Sequence, residues 1–177
     1  FDMDAGRLEI PRLEVVADAE GGPIQGDGLH AELAAALAMD TQAGGLSVDG
    51  LRLSAGELSV TGEVDLDGLE SKRPSLAGSL EVAELNLRDW LASQGIALPE
   101  TADEAALSRF SLKADLGSSG EEIGVERLAL RLDDTQATGS LWMRNPDAPA
   151  FRFALDVDRI DLDRYLPPAP EGEEPAA

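Results

Sequence analysis

The stretch Leu46 to Leu53, LSVDGLRL, carries apolar residues at its first, third, sixth and eighth positions, with a two-residue polar step in the middle. Four more segments repeat the pattern: Leu8 to Val15 (LEIPRLEV), Leu80 to Leu87 (LEVAELNL), Ile123 to Leu130 (IGVERLAL) and Leu155 to Leu162 (LDVDRIDL). On a helix turning about 100° per residue these positions fall at about 0°, 200°, 140° and 340°, which is no single face. A strand accommodates them. Alternation that slips by one residue is what a bulge or sharp bend produces, because the extra residue restores the buried face after the phase change. The copies begin at 8, 46, 80, 123 and 155, a recurrence expected of similar β units in series.

A longer repeat contains the short one. LSVDGLRLSAGELSVTGEVDL aligns with IGVERLALRLDDTQATGSLWM at an offset of 77, matching Val48 to Val125, Leu51 to Leu128, Thr61-Gly62 to Thr138-Gly139 and Val64 to Leu141. LEVAELNLRDWL then aligns with LDVDRIDLDRYL at an offset of 75, matching Trp90 to Tyr165 and Leu91 to Leu166. Since 43% of the chain is apolar, short apolar matches are common. The ordered succession of motif, Thr-Gly and aromatic-Leu is not. Residues 46–91 and 123–166 therefore read as two copies of one unit: a strand, a turn, a strand entering at Thr-Gly, then a strand ending in a short helical turn.

Around these blocks, residues 6–16 read as a first strand pair with Pro11 in its bend, and GGPIQGDG (21–28) as a turn-rich connection. LHAELAAALAMD admits a helix through Leu29, Leu33 and Leu37 and a strand through its alternation; its place before GGLSVDGLRL favours the strand. RDWLASQG (88–95) reads as a short helix closed by Gly95. Thr101 and Glu104 have capping-box spacing, so TADEAALS (101–108) is expected to form one or two helical turns. RFSLKADL (109–116) alternates as a strand, and residues 117–120 are expected to form a turn. The expected class is mainly β: repeated antiparallel units in a curved sheet or groove-like structure with one to three short helices. Its organisation is a partial upstream repeat (1–45), a first block with short helices (46–122), a second block (123–166) and a disordered Pro/Glu-rich tail (167–177).

Composition narrows the function. Asp and Glu number 35 against 14 Lys and Arg, a formal charge of −21 in 177 residues, so a nucleic-acid partner is not expected. The acids are spread along the chain, as on the solvated surfaces of proteins from salt-rich sources. The absence of cysteine excludes disulfides, thiolate metal sites and a cysteine nucleophile. No apolar stretch approaches the ~20 residues of a bilayer span. Phe1 is no natural start, which suggests a piece of a longer protein.

Candidate chemical groups read as structural. His30 is a lone histidine on the surface or in a turn. Ser47, Ser119 and Ser140 lack the G-x-S-x-G elbow. Asp156, Asp158, Asp161 and Asp163 approach a calcium-loop spacing, but Ile160 holds the third ligand position and Asp161 the glycine position, which leaves a solvent-facing strand edge. Asp133-Asp134 reads as a turn. The L-x-L recurrence is not a leucine-rich repeat, because the steps exceed that repeat's ~20–29 residues. No enzyme activity, cofactor or metal is expected, and the sequence singles out no individual binding residue.

Three stretches carry a family resemblance: DWLASQGIALPETADEAALSRFSLKADL (89–116), VERLALRLDDTQATGSLWM (125–143) and FRFALDVDRIDLDRYLPP (151–168). Their succession resembles the AsmA family of bacterial envelope proteins over residues 46–168, with 1–45 as an earlier repeat. The resemblance implies a periplasmic, β-rich module, anchored to the inner membrane by a helix outside this sequence. It implies a role in outer-membrane biogenesis through phospholipid handling, with acyl chains, neighbouring repeats and envelope-assembly proteins as partners. The alternative is a structural or protein-interaction module with a closed core and no lipid.

Overall fold

The slip in the eight-residue pattern is a physical bulge in the strand ladders. The computed structural model describes residues 6–21, 24–68, 71, 73–98, 100–144 and 149–168. Nine strands form one antiparallel sheet in sequence order: β1 Arg7–Gly21, β2 Ile24–Asp40, β3 Gly45–Ala55, β4 Leu58–Asp67, β5 Ser75–Leu85, β6 Phe110–Ser119, β7 Glu122–Leu132, β8 Thr135–Arg144 and β9 Ala150–Val157. A helix, α1 (Leu87–Ser93), follows β5, and a 3₁₀ turn, Asp163–Tyr165, follows β9. Four pattern copies shift register between their third and sixth positions: Ile10/Leu13, Val48/Leu51, Val82/Leu85 and Val125/Leu128. At each, three steps along one strand oppose two along its neighbour, which returns the apolar set to the same face. The fifth copy breaks instead. β9 stops at Val157, where the Asp158 N–H donates to the Gln136 carbonyl at 3.0 Å and its carboxylate accepts the Gln136 N–H at 2.8 Å.

The two long blocks share strand order and register. β3 pairs β4 through Leu46↔Leu66, Val48↔Val64, Leu51↔Gly62 and Ala55↔Leu58, and β7 pairs β8 through Ile123↔Met143, Val125↔Leu141, Leu128↔Gly139 and Leu132↔Thr135. The next ladder also repeats, with Val60↔Val82 and Gly62↔Leu80 recurring as Ala137↔Val157 and Gly139↔Leu155. Thr61-Gly62 and Thr138-Gly139 lie within β4 and β8 rather than at strand entries, so that expectation is corrected. The glycine is needed there because a Cβ at Gly62 or Gly139 would collide with the carbonyl oxygen of Ser79 or Ala154.

α1 forms where the sequence indicates. Asn86 caps it by accepting the Asp89 N–H at 3.2 Å while donating its amide to the Asp89 carboxylate. It ends in a Schellman arrangement: Gly95, at φ 70°, donates to the Ala92 carbonyl and Ile96 to that of Leu91. Three other expectations are corrected. From Arg7 on, residues 6–16 belong to one strand and not to a strand pair, with Pro11 at the β1 bulge, where no ladder donor is required. The connection at 21–28 is shorter than expected: Gly21 pairs with Ile24, and β2 runs from Ile24. Residues 101–108 form turns rather than a helix. There the Thr101 hydroxyl donates to the Asp103 carbonyl instead of capping, and Leu107 adopts φ 67°, outside the helical region. The strand reading of residues 29–40 holds. Residues 169–177 of the expected tail lie outside the described residues.

Among the described residues the strands place most of their large aliphatic side chains on one side, Val16, paired with Glu32, being an exception, and beyond its ladder neighbours no described strand makes more than a slight contact. Among the described residues Leu85 is the only large aliphatic side chain that is buried, the other buried apolar residues being Ala35, Ala55, Ala106 and Ala114. A domain with two packed layers would bury many more. Among the described residues the sheet is a single open layer without the closed core of the alternative reading.

Candidate functional site

The apolar face extends across the strands of the sheet, and the bulges keep it continuous. Its rows run across the ladders: Leu33, Leu53, Val60, Val82, Leu112 and Leu130 form one, joined through successive cross-strand pairs. Most of these side chains are half-buried by their neighbours. Towards the last strand the face opens, with Leu141 42%, Leu155 52%, Phe151 63% and Phe153 70% exposed. The described lining of this face is almost wholly aliphatic and aromatic, which provides dispersion and hydrophobic contact without hydrogen-bonding specificity.

The opposite face is charged and cross-linked. Lys113 meets Glu81 at 2.8 Å and Arg127 meets Asp115 at 2.7 Å. Glu122 lies between Arg144 at 3.0 Å and Arg152 at 2.6 Å. The hydrogen bond from Arg152, aided by its charge and by Arg144, holds the Glu122 carboxyl below its usual range. Arg152 also lies over the Trp142 ring, 5.7 Å from its centre. These exposed pairs each contribute little. With 35 acids against 14 bases, repulsion dominates the long-range electrostatics. The thermal midpoint should therefore rise between low and molar KCl as this repulsion is screened; a flat or falling midpoint would remove the salt-adapted reading.

One buried polar site ties the end of the sheet together. Asp133, in the β7–β8 turn at φ 53° and 1% exposed, accepts hydrogen bonds from the N–H groups of Leu107 (2.8 Å), Ser108 (2.9 Å) and Arg109 (3.1 Å). The Ser108 and Tyr165 hydroxyls add bonds at 3.2 and 2.9 Å. Burial alone would raise its pKa, but these donors outweigh burial and hold the carboxyl below the usual range. Arg164 meets Asp103 at 2.8 Å and Asp134 at 3.2 Å, fastening the segment after β9 to the loop before β6 and to the β7–β8 turn. The first block has a simpler counterpart: Trp90 donates its indole N–H to the Ala55 carbonyl at 2.7 Å, beside Gly56 at φ 59°. The turn reading of Asp133-Asp134 was right about the backbone and missed this burial. Its signal lay in the alignment, where Asp133 replaces Gly56 as Tyr165 replaces Trp90.

The other candidate residues do not converge. His30 is exposed on β2 between Asp18 and Glu32, whose hydrogen bonds and charges, Asp18 first, raise its pKa. Ser47 and Ser140 lie in β3 and β8, and Ser119 ends β6, none hydrogen-bonded to His30. Asp156 is on β9, Asp158 closes the β8–β9 ladder, Asp161 follows the strand and Asp163 begins the 3₁₀ turn, so the expectation of one strand edge holds only for the first. Among the described residues no group of three or more His, Cys, Asp or Glu side chains is placed to hold a metal ion. No described helix is long and apolar enough to cross a membrane. No protein-family model, curated protein or solved structure matches the chain.

Proposed function

We propose that the apolar face binds lipid acyl chains, and that the chain is a non-enzymatic periplasmic β-repeat module of AsmA type. In this reading it serves outer-membrane biogenesis by handling phospholipid between the inner and outer membranes, within a protein anchored to the inner membrane. The single observation that carries the lipid-binding reading is the nine-strand aliphatic face with no second layer among the described residues. A face of this extent leaves apolar area in water unless a ligand or partner covers it. Acyl chains match it chemically, because the surface offers area without directional polar groups. The periplasmic setting and the role in envelope biogenesis rest on the sequence resemblance.

The test is lipid co-purification and titration with a fluorescent phospholipid on paired variants. Leu141 points to the apolar face, opposite Val125 and Phe153, while Thr138 points to the polar face beside Ala129 and Asp156. Leu141→Lys places an ammonium in the acyl path and should reduce affinity at least about tenfold, since a charge without a partner costs several kcal/mol to desolvate. Thr138→Lys adds the same charge to the other face and should leave affinity unchanged. Equal effects of the two substitutions, or no lipid retained above a control protein, would reject an acyl-binding face.

A further inference from the structure

We infer that the outer edge of β9 is an acceptor site for one more antiparallel strand, whose register is set by the β5–β6 ladder. β9 is the register equivalent of β5, since each follows its preceding strand through matching pairs. β5 has β6 on its far side, paired as Gly78↔Leu116, Leu80↔Ala114 and Val82↔Leu112. Among the described residues β9 has no partner on that side. The difference is visible in exposure: Leu80 and Val82 are half-buried, whereas their equivalents Leu155 and Val157 are 52% and 49% exposed. An unpaired strand edge with this apolar row is a template for strand addition.

The occupant is an extended partner segment of β6-like chemistry. It alternates apolar residues toward Phe153, Leu155 and Val157 and places a basic side chain opposite Asp156. The charge requirement comes from the first block, where Glu81, the equivalent of Asp156, pairs with Lys113 at 2.8 Å. Backbone ladder bonds supply affinity, and the alternating side chains and this ion pair fix the register. The site uses the edge of the sheet, so it stands independently of lipid on the face.

The probe is a peptide of residues 109–119, RFSLKADLGSS, offered to the full chain. The protein has no cysteine, so cross-linking reports only on introduced positions. With Leu155→Cys in the chain, a peptide carrying Ala114→Cys should form a disulfide several-fold faster than peptides carrying Leu112→Cys or Leu116→Cys. Directly opposed residues fall within disulfide reach, and a shift of two residues takes them out of it. Asp156→Lys should weaken binding of the unmodified peptide, and Lys113→Glu in the peptide should restore it. Equal cross-linking by all three peptides, absence of peptide binding, or failure of the charge exchange to restore it would overturn the inference. So would disulfide dimers of the Leu155→Cys chain forming in preference to the peptide adduct, because the edge would then take a second copy.

Discussion

Asp133→Ala should lower the thermal midpoint by roughly 6–12 °C at neutral pH. Without the carboxylate, the N–H groups of Leu107, Ser108 and Arg109 and the Tyr165 hydroxyl lose their acceptor in a place where water has little access. Orphaning such donors costs about 3 kcal/mol in total, and each kcal/mol moves the midpoint of a chain this size by about 2–4 °C. Alanine also strains the turn, because Asp133 sits at φ 53°. Asp133→Gly removes that strain and restores the residue type of Gly56, so it isolates the hydrogen-bond loss and should recover only a small part of the midpoint.

The pH dependence has a definite sign. The folded state depresses the Asp133 pKa, so its stabilisation is complete above the unfolded value of about 3.9 and is lost as pH falls through the lower folded value. The gap between wild type and Asp133→Asn should be constant above about pH 4 and close below it. Asp103, Asp134, Arg109, Arg164 and Tyr165 surround the site in both proteins and cancel in this comparison. Thermal melts from pH 2 to 8 measure it, and a gap that persists unchanged at the acid end would mean the carboxylate charge is not what holds the loop.

The fold was legible where one residue type repeats at fixed spacing. Apolar positions 1, 3, 6 and 8 can share a face only across a bulge, and four copies place their bulge there. The offsets of 77 and 75 carry register between blocks, and strand boundaries up to Val157, where β9 stops short of the β5 pattern, because both copies share the same alternation. Local propensity failed where a distant group intervened. Thr101 and Glu104 have helix-start spacing, but Arg88 donates to the Thr101 hydroxyl and to the Ala106 carbonyl, and Asp133 collects the N–H groups that follow. Nothing within residues 101–108 encodes Asp133. The open face was only partly legible, since alternation says which side is apolar but not whether a second layer covers it.

Affinity for single-chain phosphocholines should rise steadily with chain length and change little with head-group charge. Full burial of a methylene contributes about 0.8 kcal/mol, whereas a chain lying on an open sheet keeps one side in water and gains about half of that. The expected slope is therefore about 0.4 kcal/mol per CH₂, or roughly a twofold gain in affinity for each added carbon. A slope near 0.8 would mean that the sheet folds over its ligand or that two copies enclose it. The head group should matter less, because the net charge of −21 gives no attraction for anionic lipid and the described lining of the apolar face is free of cations that could select one. Titrations below the micelle concentration, repeated with anionic and zwitterionic heads of equal chain length, separate these contributions. A flat dependence on chain length, or a strong preference for one head group, would place recognition away from the apolar face and end the acyl-binding proposal.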